Sequence, residues 1–352
     1  PDASAADYFG KSIAIDGDWA VVGAHLEDLD SVANSGAAYV YHFNGQDWVY
    51  HSTLNASTTV AGDYQGHSVA ISGGRIAVGA YGEDRSGGTN SGCVYIYDYD
   101  SDTDSWDENN PYKVKADIPA AGDYLGYRVA LDGDVLVASL YSNDSATFNA
   151  GKVLVFEHDG TDWLQTGELF VHNPEQTDYL GASGLAVSGD TIAISSVHRD
   201  HVTGVVYLFE KTDAGWIETQ TILSNDLGYA DYYGISVDLD GDRMVVGAYG
   251  EDEVATNAGS VYVFERTNTG WVQKAKLMAS DGGAGDCIGF QVALDGDTIA
   301  VDSLYDDDSA GNAGAIYLFN LIDGEWIEVG KYNGSGALYG DALGYRMALD
   351  GQ

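Results

Sequence analysis

The chain has 352 residues, and its 55 Asp and Glu against 15 Lys and Arg give a formal charge of −40. Such a surface repels nucleic acid and anionic lipid, which need basic patches to displace their counterions, and suits a protein kept soluble in a salty external medium. With 45% apolar residues, 46 Gly and only 4 Pro, the chain fits a continuous core with many tight turns and not a disordered polymer.

The first unit, about residues 7–62, opens with Asp7-x-x-Gly10 and runs through an apolar strand, Asp16-Gly17 and a second apolar strand ending Val22-Gly23-Ala24. An Asp-Gly pair between apolar runs predicts a two-residue hairpin, because a type I′ turn needs positive φ at both central positions. An acidic loop at Glu27-Asp28 follows, then an aromatic third strand, Ala38-Tyr-Val-Tyr41, and Trp48 at the head of a fourth strand. The pattern recurs over about 63–122, 123–177, 178–230, 231–285 and 286–340 and starts again at 341. Its opening glycines are Gly10, Gly66, Gly126, Gly181, Gly234, Gly289 and Gly344. Its tryptophans are Trp48, Trp106, Trp163, Trp216, Trp271 and Trp326, and Trp19 alone stands outside the series. A fixed period of this length marks an array of supersecondary units that form one object over 1–352.

Unit 2 carries its acidic loop at Glu83-Asp84 and an insertion between third and fourth strands where Asp98, Asp100, Asp102 and Asp104 alternate. That spacing suits a calcium loop, although the glycine and bidentate Glu of a complete one are missing. In unit 3, Arg128-Val-Ala-Leu131 and Val135-Leu-Val-Ala138 flank Asp132-Gly133. Nearly unbroken aliphatic strands predict burial on both faces. Unit 4 turns at Ser188-Gly189 and has Val197-His-Arg-Asp-His-Val-Thr-Gly204 in place of the acidic loop. There His198 and His201 have the spacing to share a transition metal, with no third ligand nearby.

Unit 5 is the fullest copy: Asp231-x-x-Gly234, Asp240-Gly241, Glu251-Asp252-Glu253, Asn257-x-Gly259 and Trp271-Val-Gln-Lys-Ala-Lys-Leu277. The polar alternation of that last strand predicts an edge, with lysines that discourage edge-to-edge pairing. Unit 6 repeats the hairpin as Gln291-Val-Ala-Leu294, Asp295-Gly296 and Thr298-Ile-Ala-Val301, then Asp306-Asp307-Asp308 and Ala315-Ile-Tyr-Leu-Phe319. The seventh unit stops inside its first hairpin, so the natural protein is expected to continue. Pro1-Asp2-Ala3 opens no secretory signal, and no apolar run is long enough to span a bilayer.

Side chains grow from the first strand to the third, and polarity enters only in the fourth. Each unit is thus a wedge, narrow and apolar at one edge, broad and wet at the other. Four-stranded wedges in series are propeller blades. The expected fold is an all-β propeller of antiparallel blades, seven with the seventh truncated, or alternatively six. Ala130, Ala293 and Ala300 should lie near the axis or between blades, and each closing Trp should anchor its outer strand. Cys93 and Cys287 fall in different registers of distant units, which predicts two thiols without a disulfide, zinc or catalytic role.

With Asp7-Tyr8-Phe9-Gly10 opening unit 1 and Val22-Gly23-Ala24 closing its second strand, essentially the whole chain resembles the FG-GAP repeats. These build the propeller of integrin α-subunits and of many microbial and algal surface proteins, usually with seven blades. Integrin-type repeats hold calcium in a D-x-D-x-D-G loop between the first two strands. Here that link is a two-residue hairpin, so those metal ligands do not carry over.

Strand direction gathers the Asp-x-x-Gly loops and the acidic loops at one end and the Asp-Gly hairpins at the other. Calcium takes six to eight oxygens, which makes Glu27, Asp28, Glu83, Asp84, Glu251, Asp252, Asp306 and Asp308 candidate ligands, with Asp100, Asp102 and Asp104 of the insertion. The plainer reading is that each aspartate caps a turn through its own backbone. No nucleophile elbow, zinc-protease motif or phosphate loop is present, so no enzyme is expected. Asn55, Asn143 and Asn333 stand in N-glycosylation sequons. The expected function is a non-enzymatic extracellular or cell-surface module for adhesion, recognition or assembly, whose partners are an extracellular protein or glycan and other domains or copies of a larger assembly. No nucleic acid or membrane insertion is expected. The alternative is a carbohydrate-binding propeller, on its own or attached to a polysaccharide-active enzyme, using the loop tyrosines Tyr81, Tyr141, Tyr249 and Tyr305.

Overall fold

The computed structural model describes residues 7–56, 58–84, 88–108 and 110–351; Pro1-Asp2-Ala3 and the side chain of His201 lie outside the described set. The described residues are all-β and form six propeller blades, each with four antiparallel strands paired in chain order. Two compact units, Pro1–Ala182 and Ser183–Gln352, hold three blades each. Blade 1 comprises Phe9–Asp16, Trp19–Ala24, Ala37–Phe43 and Trp48–Leu54. Blade 2 comprises Gln65–Ser72, Arg75–Ala80, Cys93–Asp100 and an outer strand in two pieces, Ser105–Trp106 and Tyr112–Val114. Blade 3 comprises Val129–Asp132, Val135–Leu140, Lys152–His158 and Trp163–Leu169.

In the second unit, blade 4 is built of Leu185–Ser188, Thr191–Ser196, Val205–Thr212 and Gly215–Ile222. Blade 5 is Val237–Asp240, Arg243–Ala248, Ser260–Thr267 and Gly270–Leu277, and blade 6 is Ile288–Asp295, Thr298–Ser303, Ala315–Ile322 and Glu325–Asn333. The described residues thus complete six blades, and residues 341–351 carry no strand. They still begin as a blade does, since Leu343 donates its N–H to Ala313 O at 2.8 Å. Among the described residues helix is confined to one turn at Arg199–Val202, where unit 4 lacks the acidic loop, and a 3-10 turn at Leu29–Ser31.

Third and fourth strands slip register at one recurring place, Val40/Tyr41, Val155/Phe156, Leu208/Phe209, Val263/Phe264 and Leu318/Phe319. A bulge there lets an outer strand bend more strongly than its neighbour. In blade 2 the slip widens into a gap, for Tyr99 pairs with Trp106 whereas Ile96 pairs with Tyr112. The insertion expected between third and fourth strands is thus shared between a longer hairpin tip and an enlarged bulge inside the fourth strand.

Adjacent blades within a unit are joined by three recurring devices. First, the hairpin residue ahead of Gly accepts the N–H of the next hairpin's Gly: Asp16 from Gly73 at 2.7 Å, Ser72 from Gly133 at 3.0 Å, Ser188 from Gly241 at 3.0 Å and Asp240 from Gly296 at 2.7 Å. Second, the Gly that ends each acidic loop makes a parallel bridge to the residue before the next opening glycine, as in Gly36–Gln65, Gly92–Leu125 and Gly259–Ile288. At Gly259, with φ of +82°, a Cβ would lie 2.2 Å from Ile288 O. Third, the first residue of the second strand reaches forward. Arg75 bonds Gly133 O and Asp134 and lies over Trp163, and Arg243 does the same with Gly296 O, Asp297 and Trp326. Trp19 holds this position in blade 1 and packs edge-on against Trp106, which accounts for the tryptophan outside the series.

The core lies between blades: Val69, Ile76 and Trp106 join blade 1 to blade 2, and Val263, Ile288 and Val301 join blade 5 to blade 6. Ala293 and Ala300 are buried, and Ala130 is half-buried. Trp106, Trp163 and Trp271 are buried as expected, but Trp48 is 43% exposed and packs against the Phe43 ring of its own blade. Both cysteines are buried without a disulfide.

Candidate functional site

The repeated Asp-x-x-Gly aspartates cap turns. The carboxylates of Asp63, Asp123, Asp178, Asp231, Asp286 and Asp341 each accept the N–H of the residue three positions earlier, at 2.6–3.1 Å. Burial pushes Asp63 up to about 6, and burial likewise raises Asp231 and Asp286.

The two acids of each acidic loop have different surroundings. The second is exposed and caps the Asn-x-Gly turn: Asp28 accepts Asn34 N–H at 2.7 Å, Asp84 accepts Asn90 N–H at 2.8 Å and Asp252 accepts Asn257 N–H at 2.6 Å. The first is buried and faces the blade's own third and fourth strands. Glu27 accepts from Tyr39 Oη at 3.0 Å. Glu83 accepts from Cys93 Sγ at 2.7 Å and Tyr95 Oη at 2.8 Å and pairs with Lys113. Glu251 accepts from Ser260 Oγ at 2.7 Å and lies 3.0 Å from Lys276 Nζ. Asp306 accepts from Tyr317 Oη at 3.1 Å and lies 2.8 Å from Lys331 Nζ.

These lysines collect further carboxylates. Lys276 Nζ is 2.6 Å from both Asp226 and Glu253, and Lys331 Nζ is 3.0 Å from Asp281 and 2.6 Å from Asp308. Burial alone would lower the Lys276 ammonium, but its three carboxylates outweigh burial and hold it above its ordinary value. The fourth-strand lysines of this register therefore point into the blade; Lys276 is 13% exposed, while Lys274 at 43% plays the expected edge role. Among the described residues, Asp226, Glu251 and Glu253 are the one group whose acid oxygens converge within 4.8 Å, and Lys276 Nζ contacts all three. The lysines opposite the acidic loops of blades 2, 5 and 6 were the sequence signal for this arrangement.

Asp100, Asp102 and Asp104 are not gathered in that way. Asp100 accepts Asp102 N–H at 2.9 Å, and Asp104 accepts from Tyr99 Oη at 2.8 Å and lies 3.5 Å from His51 Nε2. His198 is exposed beside the short helical turn. Of the three sequons, Asn333 is exposed, whereas Asn143 is 6% exposed and donates Nδ2 to Asp123.

The loop tyrosines form the most continuous feature of this end. Each Asp-x-x-Gly loop places the residue after Asp in left-handed backbone: Tyr8, Tyr64, Tyr124, Tyr179 and Tyr232 have φ between 48° and 59°. Tyr64 stacks on Tyr81, Tyr124 on Tyr141 and Tyr232 on Tyr249, with centroids 5.0, 5.4 and 4.7 Å apart. In the first unit the pairs join through His25, His67 and Tyr127 into one row of rings from Tyr8 to Tyr179. Tyr8 is 62% exposed and most of the other rings are half-buried, so the row is open to solvent along one side. Burial lowers His25 to about 4 and His67 to about 2, which keeps both rings neutral.

The model of the FG-GAP repeat family matches residues 1–41, 48–97, 216–264 and 271–319, together more than half of the chain. No curated protein matches it. The unmatched centre contains blade 3 and the first three strands of blade 4, in which the acidic loop is altered, at Asn143 and at the turn Arg199–Val202.

Proposed function

This chain belongs to the FG-GAP repeat family, and from that premise we propose that it is a non-catalytic module that binds another protein outside the cell, at an adhesive or structural contact. FG-GAP propellers are typically interaction folds, and no constellation of nucleophile, base and orienting group stands out among the described residues. The row of tyrosines from Tyr8 to Tyr179 supports this reading best. Large rigid rings with hydroxyl tips bury much area at small entropic cost, and tyrosine is enriched at interfaces for that reason. The chain's formal charge of −40 favours a partner rich in Lys and Arg, whose cations also suit aromatic faces.

The test is binding of the labelled protein to the surface of its source cells. Tyr81→Ala with Tyr141→Ala should weaken saturable binding at least tenfold at a temperature where the variant remains folded. Undiminished binding would move the contact to another surface. A carbohydrate-binding reading is favoured by a separate feature of blade 3.

A further inference from the structure

Blades 2, 5 and 6 share one arrangement at the acidic loop: a buried acid, a third-strand tyrosine beside it, and a fourth-strand lysine that neutralises it. Blade 3 rearranges every part. Asn143 stands where the acid stands elsewhere, Leu154 replaces the tyrosine and Glu168 replaces the lysine, while the cation moves to the third strand as Lys152. Loss of a carboxylate and a phenol leaves space, and a cleft of about 600 Å³ opens at this point.

Lys152 lines that cleft and is only 8% exposed. Its one hydrogen-bond partner among the described residues is Glu168 Oε2, at a long 3.4 Å, and its ammonium lies 5.4 Å from the Phe170 ring centroid. An ammonium carries three donors, and a buried charge with donors unspent is costly. Asp123 spends both oxygens, on Asn143 Nδ2 and Ala120 N–H, while Asp144 is exposed and spends Oδ1 on Asn149 N–H.

We propose that this cleft binds a neutral saccharide, its hydroxyls bridging Lys152 and Glu168 and a C–H face of the sugar packed on Phe170. Hydroxyls donate and accept at one atom, which suits a site lined by an ammonium, carboxylates and one aromatic ring. The carboxylates outnumber the lysine, which disfavours an anionic ligand, and Lys152 disfavours a cation. The volume falls within the range of small-molecule sites. This site is separate from the tyrosine row and does not rest on the protein-binding reading.

Calorimetry and ligand-observed NMR on the whole chain test it, with the methyl pyranosides of glucose, galactose and mannose, N-acetylglucosamine, and glucuronate and choline as charged controls. At least one neutral pyranoside should bind with Kd in about the millimolar range. Phe170→Ala should raise that Kd at least tenfold. Asn143→Glu restores the carboxylate of blades 2 and 5 opposite Lys152, so it should also abolish binding in a variant that remains folded. Absence of binding by every neutral sugar, tighter binding of glucuronate or choline, or an unchanged Kd in a folded Asn143→Glu variant would each overturn the proposal.

Discussion

The carboxylate of Asp240 accepts the backbone N–H of Gly296 at 2.7 Å, so the hairpin of blade 5 holds the hairpin of blade 6. Ser188 makes the same bond to Gly241 through its hydroxyl. Asp240→Ala should therefore cost about 1 kcal/mol, the net worth of such a bond at an exposed site, and Asp240→Ser should recover most of it. Denaturant melts of the two variants check this; equal losses would mean that the side chain serves only its own turn.

Two glycines with similar backbone angles separate conformational cost from packing. Gly241, at φ of +56°, has nothing within 4 Å of an added Cβ, whereas at Gly259, with φ of +82°, that Cβ would meet Ile288 O at 2.2 Å. Gly241→Ala should cost roughly 1 kcal/mol, the penalty for left-handed backbone. Gly259→Ala should cost several times more because the bridge to the next blade must open. Similar midpoints for both variants in guanidinium would show that the bridge contributes little.

The blades were legible because their signals are local and repeated: the Asp-Gly hairpins, the aliphatic pairs of strands and the aromatic third strands all stand where the periodicity puts them. What joins blade to blade was not legible. Asp16 and Asp240 read as turn formers, yet their side chains also serve the turn about 56 residues further on. Gly36 and Gly259 read as loop punctuation, yet their missing Cβ admits a neighbouring backbone. Paired acids read as cation ligands because the opposing Lys276 and Lys331 sit on another strand, some 23–25 residues later in the chain. Strand pairing brings those charges together, and pairing register is a property of the sheet.

The closing tryptophans should not contribute alike. Trp271 is 3% exposed, and its N–H and C=O are both held by Gln220 of blade 4, whereas Trp48 is 43% exposed. Trp271→Ala should cost about 3–5 kcal/mol and Trp48→Ala less than about 1 kcal/mol. Chemical denaturation of the pair is the measurement, and equal effects would contradict the burial difference.

Asp238 stands where other blades carry alanine, and its carboxylate accepts Leu294 N–H at 2.8 Å and Leu239 N–H at 2.9 Å. Burial nevertheless pushes it up to about 6. With the folded pKa above the unfolded one, the folded state holds a proton that the unfolded chain releases. That contribution is complete below the unfolded value of about 4 and is lost as pH rises through about 6. Asp238→Asn should thus gain on the order of 1 kcal/mol over the parent at pH 8 and nothing near pH 4. A gain independent of pH would show that ionisation of Asp238 is not its source.

Lys276 Nζ and a divalent cation would compete for the same oxygens of Asp226, Glu251 and Glu253, which lie within 4.8 Å of one another. A methionine keeps the length of the lysine stem without the charge, so Lys276→Met should leave three carboxylates repelling one another and lower stability in sodium chloride. Calcium bound to those carboxylates in the folded state alone would relieve that repulsion and add RT ln(1 + [L]/Kd), about 2.7 kcal/mol at a hundredfold excess over Kd. The variant should therefore recover its melting temperature in calcium well beyond the effect of sodium at matched ionic strength, chelator should reverse the gain, and the parent should respond less. Equal responses of parent and variant would show that the acidic loop of blade 5 is not a cation site even when its lysine is gone.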